Sequence, residues 1–140
     1  MRKVFLGFAV LMLAAVAVQF YLAAVGAFDT RPNDEAFSAH AIGGTVLLLL
    51  AVVATIIAAV ARMGGRLIGM TAGIAGLTLL QSLIRVLADA LNDSGDTSTT
   101  AGRLVFGLHA LNGLAIMGLT GRALADARRP ERTEQPAAAT

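Results

Sequence analysis

Two histidines, His40 and His109, are the only histidines in this 140-residue chain, and they stand in two versions of one pattern. "FSAHAIGG" occupies residues 37–44 and "FGLHALNG" residues 106–113, so that Phe37, His40, Ala41 and Gly44 match Phe106, His109, Ala110 and Gly113. Two glutamines, Gln19 and Gln81, precede the two patterns from within long apolar runs. A neutral imidazole is a metal ligand, and two of them form an axial pair for a haem iron when they approach it from opposite faces. Zinc would need about four protein or water donors in tetrahedral array, and no acid shares the histidines' layer. Cysteine is absent, which removes disulfides, iron–sulfur clusters and thiol nucleophiles.

Around each histidine the spacing suggests a site. On a helix, Gly44 lies one turn after His40 and Gly113 one turn after His109. Such glycines leave a recess that can admit a neighbouring helix or the edge of a flat cofactor. Asn112 shares the His109 face. Thr78, Gln81 and Arg85 form a polar stripe expected to face a bundle interior. Gln19 and Gln81 are expected to orient the imidazoles or border the ring. Arg85, with Arg31 and Arg103, could pair with haem propionates, while snorkelling to headgroups is the plainer role for Arg85. Phe37 and Phe106 read more simply as packing or lipid-facing aromatics. Ser38 lies two residues from His40 and Ser82 beside Gln81, neither of which makes a Ser–His nucleophile.

The elements that must carry these residues are apolar. The chain is 56% hydrophobic and 14% charged, with mean hydropathy +0.74, against roughly 45–50% and about 25% in an ordinary soluble domain. Four long runs predict transmembrane helices at about 4–28, 37–61, 67–90 and 102–124. The first could also be read as a signal peptide, but its apolar run is longer than is usual and contains Gln19. The pI near 9.9 reflects sidedness rather than nucleic acid, for which no motif is present. Arg2, Lys3, Arg62, Arg66, Arg122, Arg128, Arg129 and Arg132 fall at the termini and the second connection. Asp29, Asp34, Glu35, Asp89, Asp93 and Asp96 fall in or beside the first and third. The positive-inside rule therefore predicts both termini in the cytoplasm.

The expected fold is all-α: an integral membrane four-helix bundle of two tandem hairpins related by a pseudo-two-fold along the membrane normal. Residues 1–125 would be the transmembrane domain and 126–140 a disordered cytoplasmic tail, whose Arg128, Arg129 and Arg132 could touch anionic headgroups. Asn33 and the threonines before residue 102 are expected to cap the second and fourth helices, and Met63-Gly64-Gly65-Arg66 reads as a tight turn. If the second helix begins near Asn33 and the fourth near Gly102, each His lies about seven residues in, roughly 10 Å deep. Gln19 and Gln81 reach a similar depth, which puts all four polar groups in one layer of the outer membrane half.

"MRKVFLGFAVLMLAAVAVQFYLAAVGAFD" and "LVFGLHALNGLAI" resemble a family of uncharacterised four-helix membrane proteins of actinobacteria, with which the excess of Arg over Lys agrees. More distantly, "VQFYLAAVGAFD" with "FSAHAIGG", and "LTLLQSLIRVLAD" with "LVFGLHALNGLAI", are similar to one four-helix half of haem A synthase. That resemblance implies an outer-side haem held by His40 and His109. The synthase's glutamate three residues before its second-helix histidine is replaced by Phe37, and its cysteine pair is missing, so hydroxylation chemistry is not implied.

Together these readings lead to a multi-pass protein of the bacterial plasma membrane holding one b-type haem. It would transfer or store single electrons, with a quinone or a membrane redox partner, and without substrate turnover. The alternatives are a structural or partner-binding protein whose His and Gln hydrogen-bond between helices, and a metal-free quinone or lipid site in the same pocket.

Overall fold

The computed structural model describes residues 1–92 and 98–129. Four long helices and one short one account for most of them: α1 (Arg2–Ala27), α2 (Asn33–Ala36), α3 (Ser38–Val60), α4 (Gly65–Ala90) and α5 (Thr100–Arg128). Each of α1, α3, α4 and α5 is long and apolar enough to cross a membrane. Large apolar side chains on the outside, such as Ile42, Leu49, Ile56, Leu83 and Leu104, are exposed, as a lipid environment requires.

The inward faces follow from spacing. Phe5, Ala9, Met12 and Val16 on α1 recur at intervals of four, three and four residues, and so do Leu47, Ala51, Ala54 and Ala58 on α3; all eight are buried. An average interval of about 3.7, close to the 3.6 residues of a helical turn, keeps one stripe against neighbouring helices. On α4 the stripe is Met70, Thr71, Ile74 and Thr78, and on α5 Ile116, Thr120, Ala123, Leu124 and Ala127. Many of these side chains are small, which lets helices approach closely where lipid supplies no hydrophobic drive. Thr71 and Thr120 are wholly buried, and their hydroxyls donate to carbonyls of their own helices.

Helix adjacency is cyclic. α1 packs on α3 and α5, and α4 packs on the same two, while among the described residues the diagonal pairs α1–α4 and α3–α5 make no close backbone approach. The densest core, from Phe5 to Val16 and from Ile116 to Ala127, lies toward the end where α3 turns into α4. Toward the opposite end the stripes continue as Gln19 on α1, His40 on α3, Gln81 on α4 and His109 on α5.

Several boundaries differ from the sequence expectation. The second span agrees with 37–61 to within a residue at each end, as α3, but it does not begin near Asn33: α2 ends at Ala36, and α3 begins at Ser38. Asn33 caps nothing, because Pro32 holds the N-cap position of α2 without a side-chain hydrogen bond. Thr99 does cap α5, its hydroxyl accepting from the Gly102 amide at 3.0 Å. The α3–α4 turn falls at residues 61–64, with Arg62 at φ 51. α5 runs past Leu124 to Arg128, so the tail does not begin at Asp126. The reason is that Leu124 and Ala127 are buried and Asp126 is held by Arg66 at 3.1 Å and Arg122 at 3.7 Å. The rest of the expected tail, including Arg132, and the loop residues Asp93 and Asp96 lie outside the described residues.

Candidate functional site

The inward stripes of four helices converge at the end opposite the α3–α4 turn, and there a cavity of about 810 Å³ opens. Its size falls within the range of about 300–1,000 Å³ usual for small-molecule and cofactor sites. His40, His109, Gln19, Gln81, Gly44, Gly113 and Arg85 all line it. The residues singled out in the sequence thus meet at one cavity, and the structure shows how each is held.

His40 and His109 come from the diagonal helices α3 and α5, and their ring centroids are 5.9 Å apart with planes inclined by 52°. Both are half-buried. The Nδ1 of His40 lies 3.0 Å from the Gln19 backbone oxygen. That carbonyl can only accept, so Nδ1 carries the proton and Nε2 keeps the lone pair. In metal sites a backbone carbonyl placed in this way commonly fixes the tautomer of a ligating histidine. The Gln19 side chain answers in the other direction, its Nε2 donating to the His40 carbonyl at 3.0 Å. Gln19 thus does orient an imidazole, but through its backbone.

His109 is held differently. Its Nδ1 is buried and has no hydrogen-bond partner among the described residues. Phe106, one turn earlier, stacks on the imidazole with centroids 5.3 Å apart and planes 10° from parallel. Phe37 meets His40 edge-on at 6.4 Å. The two phenylalanines, read from sequence as packing or lipid-facing groups, both flank an imidazole and both line the cavity.

The Gln81 side chain does not repeat the Gln19 arrangement, although the Gln81 backbone lies beside the His109 imidazole as the Gln19 backbone lies beside His40. Gln81 Oε1 accepts from Asn112 Nδ2 at 2.9 Å, and Asn112 also donates to the Leu77 carbonyl at 2.8 Å. The difference traces to one residue. Three positions after His40 stands Gly43, where a Cβ would come within 2.9 Å of Gln19 Oε1. Three positions after His109 stands Asn112, which supplies a partner instead. Gln19 Oε1 in consequence is buried without one among the described residues.

The recesses expected beside Gly44 and Gly113 are already used. A Cβ on Gly44 would lie 3.3 Å from Gln19 Nε2, and one on Gly113 would lie 3.4 Å from Phe20 Cζ and 3.5 Å from Gln81 Nε2. These glycines admit neighbouring side chains rather than leaving an empty notch. Phe20 was not singled out by sequence; its position next to Gln19 was the available signal.

At the mouth stand Asn33, Asp34, Arg85, Asp89 and Arg103. Arg85 is an exposed cation paired with Asp89 at 3.6 Å, and Arg103 bonds Thr100 at 3.3 Å. Arg31 does not belong to this group: it closes on Asp29 at 2.6 Å and is absent from the cavity wall. Among the described residues no three His, Cys, Asp or Glu side chains cluster closely enough to hold a metal ion unaided. Two imidazoles are therefore the protein's whole nitrogen donor set, which suits a group that brings its own equatorial nitrogens. Two imidazoles bound through ring nitrogens about 2 Å from one shared metal would have centroids roughly 6 Å apart, close to the separation found. In donor type and ring separation the pair is compatible with two imidazoles on one metal.

A family of unknown function, DUF6220, matches residues 19–88, half of the chain, and the chain belongs to that family. No curated protein matches, and no solved structure does.

Proposed function

We propose that this DUF6220 member is a multi-pass protein of a bacterial plasma membrane that binds one b-type haem between His40 and His109. The observation that carries the reading is the placement of these two rings on diagonal helices, 5.9 Å apart, in a wide cavity. When bound, the group supplies exchange of a single electron between ferric and ferrous iron. The chain's own part is to hold it. Gln19 keeps the His40 Nε2 lone pair available, Phe106 and Phe37 fix the imidazoles from the side, and Arg85 and Arg103 offer cations to carboxylates at the mouth. No carboxylate stands at the Phe37 position, in keeping with electron transfer or storage rather than turnover, with a quinone or a membrane redox partner as the counterpart.

The distribution of Arg and Lys favours cytoplasmic termini, with the histidine layer in the outer half. The repeated His pattern favours two hairpins related by a pseudo-two-fold. An actinobacterial source and a distant kinship to one half of haem A synthase are parts of the same proposal, resting on the sequence segments quoted above.

A second reading is favoured by the interhelical bonds Gln19–His40 and Asn112–Gln81. In it the polar groups tie helices together, and the cavity takes a quinone or lipid without metal. The two readings separate in a reduced-minus-oxidised absorption spectrum of protein purified in mild detergent after expression with ample haem. Haem ligation gives Soret and α bands that disappear in both His40→Ala and His109→Ala. Colourless wild-type protein overturns it, and loss of the bands in only one variant overturns the two-ligand arrangement.

A further inference from the structure

The end of the bundle away from the histidines has a cavity of its own, of about 320 Å³, between the first turn of α1, the α3–α4 turn and the last turn of α5. Phe5 and Leu67 give it an apolar part, and Arg2, Arg62 and Arg129 bring three guanidinium-bearing residues to its wall. Asp126 is the wall's one carboxylate. Its side chain is only 10% exposed; Arg66, Arg122 and Arg129 approach it at 3.1, 3.7 and 4.0 Å, and neither of its oxygens has a hydrogen-bond partner among the described residues.

The arginines are placed by the fold rather than scattered on it. Arg2 donates through Nε to the Ala127 carbonyl at 3.3 Å and through its terminal nitrogen to the Arg129 carbonyl, which ties α1 to the end of α5. Arg62 has no acidic partner among the described residues. Its backbone occupies the left-handed region at φ 51, which costs a non-glycine residue and tends to persist where the surroundings or a function demand it.

A guanidinium-lined hollow with an apolar floor suits the phosphate end of an amphiphile. Arginine forks match phosphate oxygens two at a time, and basic pockets between transmembrane helices take anionic headgroups. We propose that this cavity binds a phosphate-bearing anion: the headgroup of an anionic phospholipid, whose chemistry a free phosphate shares.

Thermal melting tests it. The protein is reconstituted in phosphatidylcholine vesicles with and without phosphatidylglycerol, and melted separately in detergent with inorganic phosphate. The cavity variant is Arg62→Gly with Arg129→Ala, where glycine suits the backbone at 62. Arg62→Gly alone is a milder version should the pair fold poorly. Lys3→Ala with Arg128→Ala removes the same charge from the same end without touching the cavity wall. Phosphatidylglycerol should raise the melting temperature of the wild type and of the Lys3/Arg128 variant by a few degrees, and leave the cavity variants unmoved. A comparable rise with inorganic phosphate identifies a soluble anion as a sufficient ligand; a rise with lipid alone identifies the headgroup. No rise with either, or equal losses in the cavity and control variants, overturns the proposal.

Discussion

Gln19 and His40 clasp each other across the α1–α3 contact, the side chain of each meeting the backbone of the other at 3.0 Å. The clasp exists because Gly43 leaves room for the Gln19 amide. A methyl group at 43 would press on that amide, and the clasp would open. Gly43→Ala should therefore destabilise the bundle by about 1–3 kcal/mol. Gln19→Ala made in the same chain should recover part of the loss, because the two positions are in contact. Unfolding in detergent of the two single variants and the double variant measures this, and strict additivity would refute it.

Asn112 is buried and serves two acceptors, the Leu77 carbonyl and Gln81 Oε1. Asn112→Leu keeps the volume similar and removes both donations, leaving the Gln81 amide without its partner on α5. Interhelical bonds in membranes average about 0.6 kcal/mol, while an orphaned buried polar group costs about 1–3 kcal/mol. The variant should lose about 1–2 kcal/mol in the same unfolding assay. A neutral result would mean that Gln81 finds another partner.

Gly102 lies at the start of α5 against Asn92, whose Oδ1 also accepts from the Thr99 amide at 3.1 Å. A Cβ at 102 would overlap that side chain and stand 3.1 Å from the Ala88 carbonyl oxygen. Gly102→Ala must displace Asn92 and with it the cap of α5. We expect a loss of about 2 kcal/mol or more, of which the cap accounts for about 1 kcal/mol. Thr99→Ala, which removes only the capping hydroxyl, should cost the smaller amount. Equal melting temperatures for the two variants would contradict this.

Asp29 and Arg31 form a local pair in the connection before α2. Hydrogen bonds from the Arg31 side chain and backbone hold the Asp29 carboxyl down from 3.8 to about 2. A carboxylate with a folded value below its unfolded one adds stability above the unfolded value and loses it as pH falls through the folded one. The contribution of this pair is therefore present above pH 3.8 and disappears toward pH 2. A carbon-13 titration of the Asp29 carboxyl should show the low midpoint, and Arg31→Ala should raise it part of the way toward 3.8, because the backbone amide at 31 still donates to the carboxylate. An unchanged midpoint in that variant would show that Arg31 is not the cause.

Hydropathy made the four spans legible, because each run of apolar residues is long enough to cross and has little else it can do. The matched histidines and glutamines were legible because polar side chains in such runs are few. What happens inside the site was harder to read. Whether Gln81 bonds an imidazole or an amide depends on Asn112 facing it from another helix, and a linear pattern cannot show that. The break at Phe37 left no helix-breaking residue at that point in the sequence. Asp126 looked like the start of a polar tail because its compensating arginine, Arg66, belongs to a different helix.

The buried apolar cluster gathers toward the α3–α4 turn, where the cavity is about 320 Å³, against about 810 Å³ at the histidines. Such a bundle resembles a pair of tongs, with the alanine-rich half as its fulcrum. On that geometry, small angular movements at Ala54, Ala58 and Ala123 would become larger separations between His40 and His109. A bulky, flat guest could then enter from the wide end while the narrow end stays folded, and loading would need no passage through an unfolded chain. Amide exchange should show the gradient directly, fast around Gly44 and Gly113 and slow around Ala54 and Ala123.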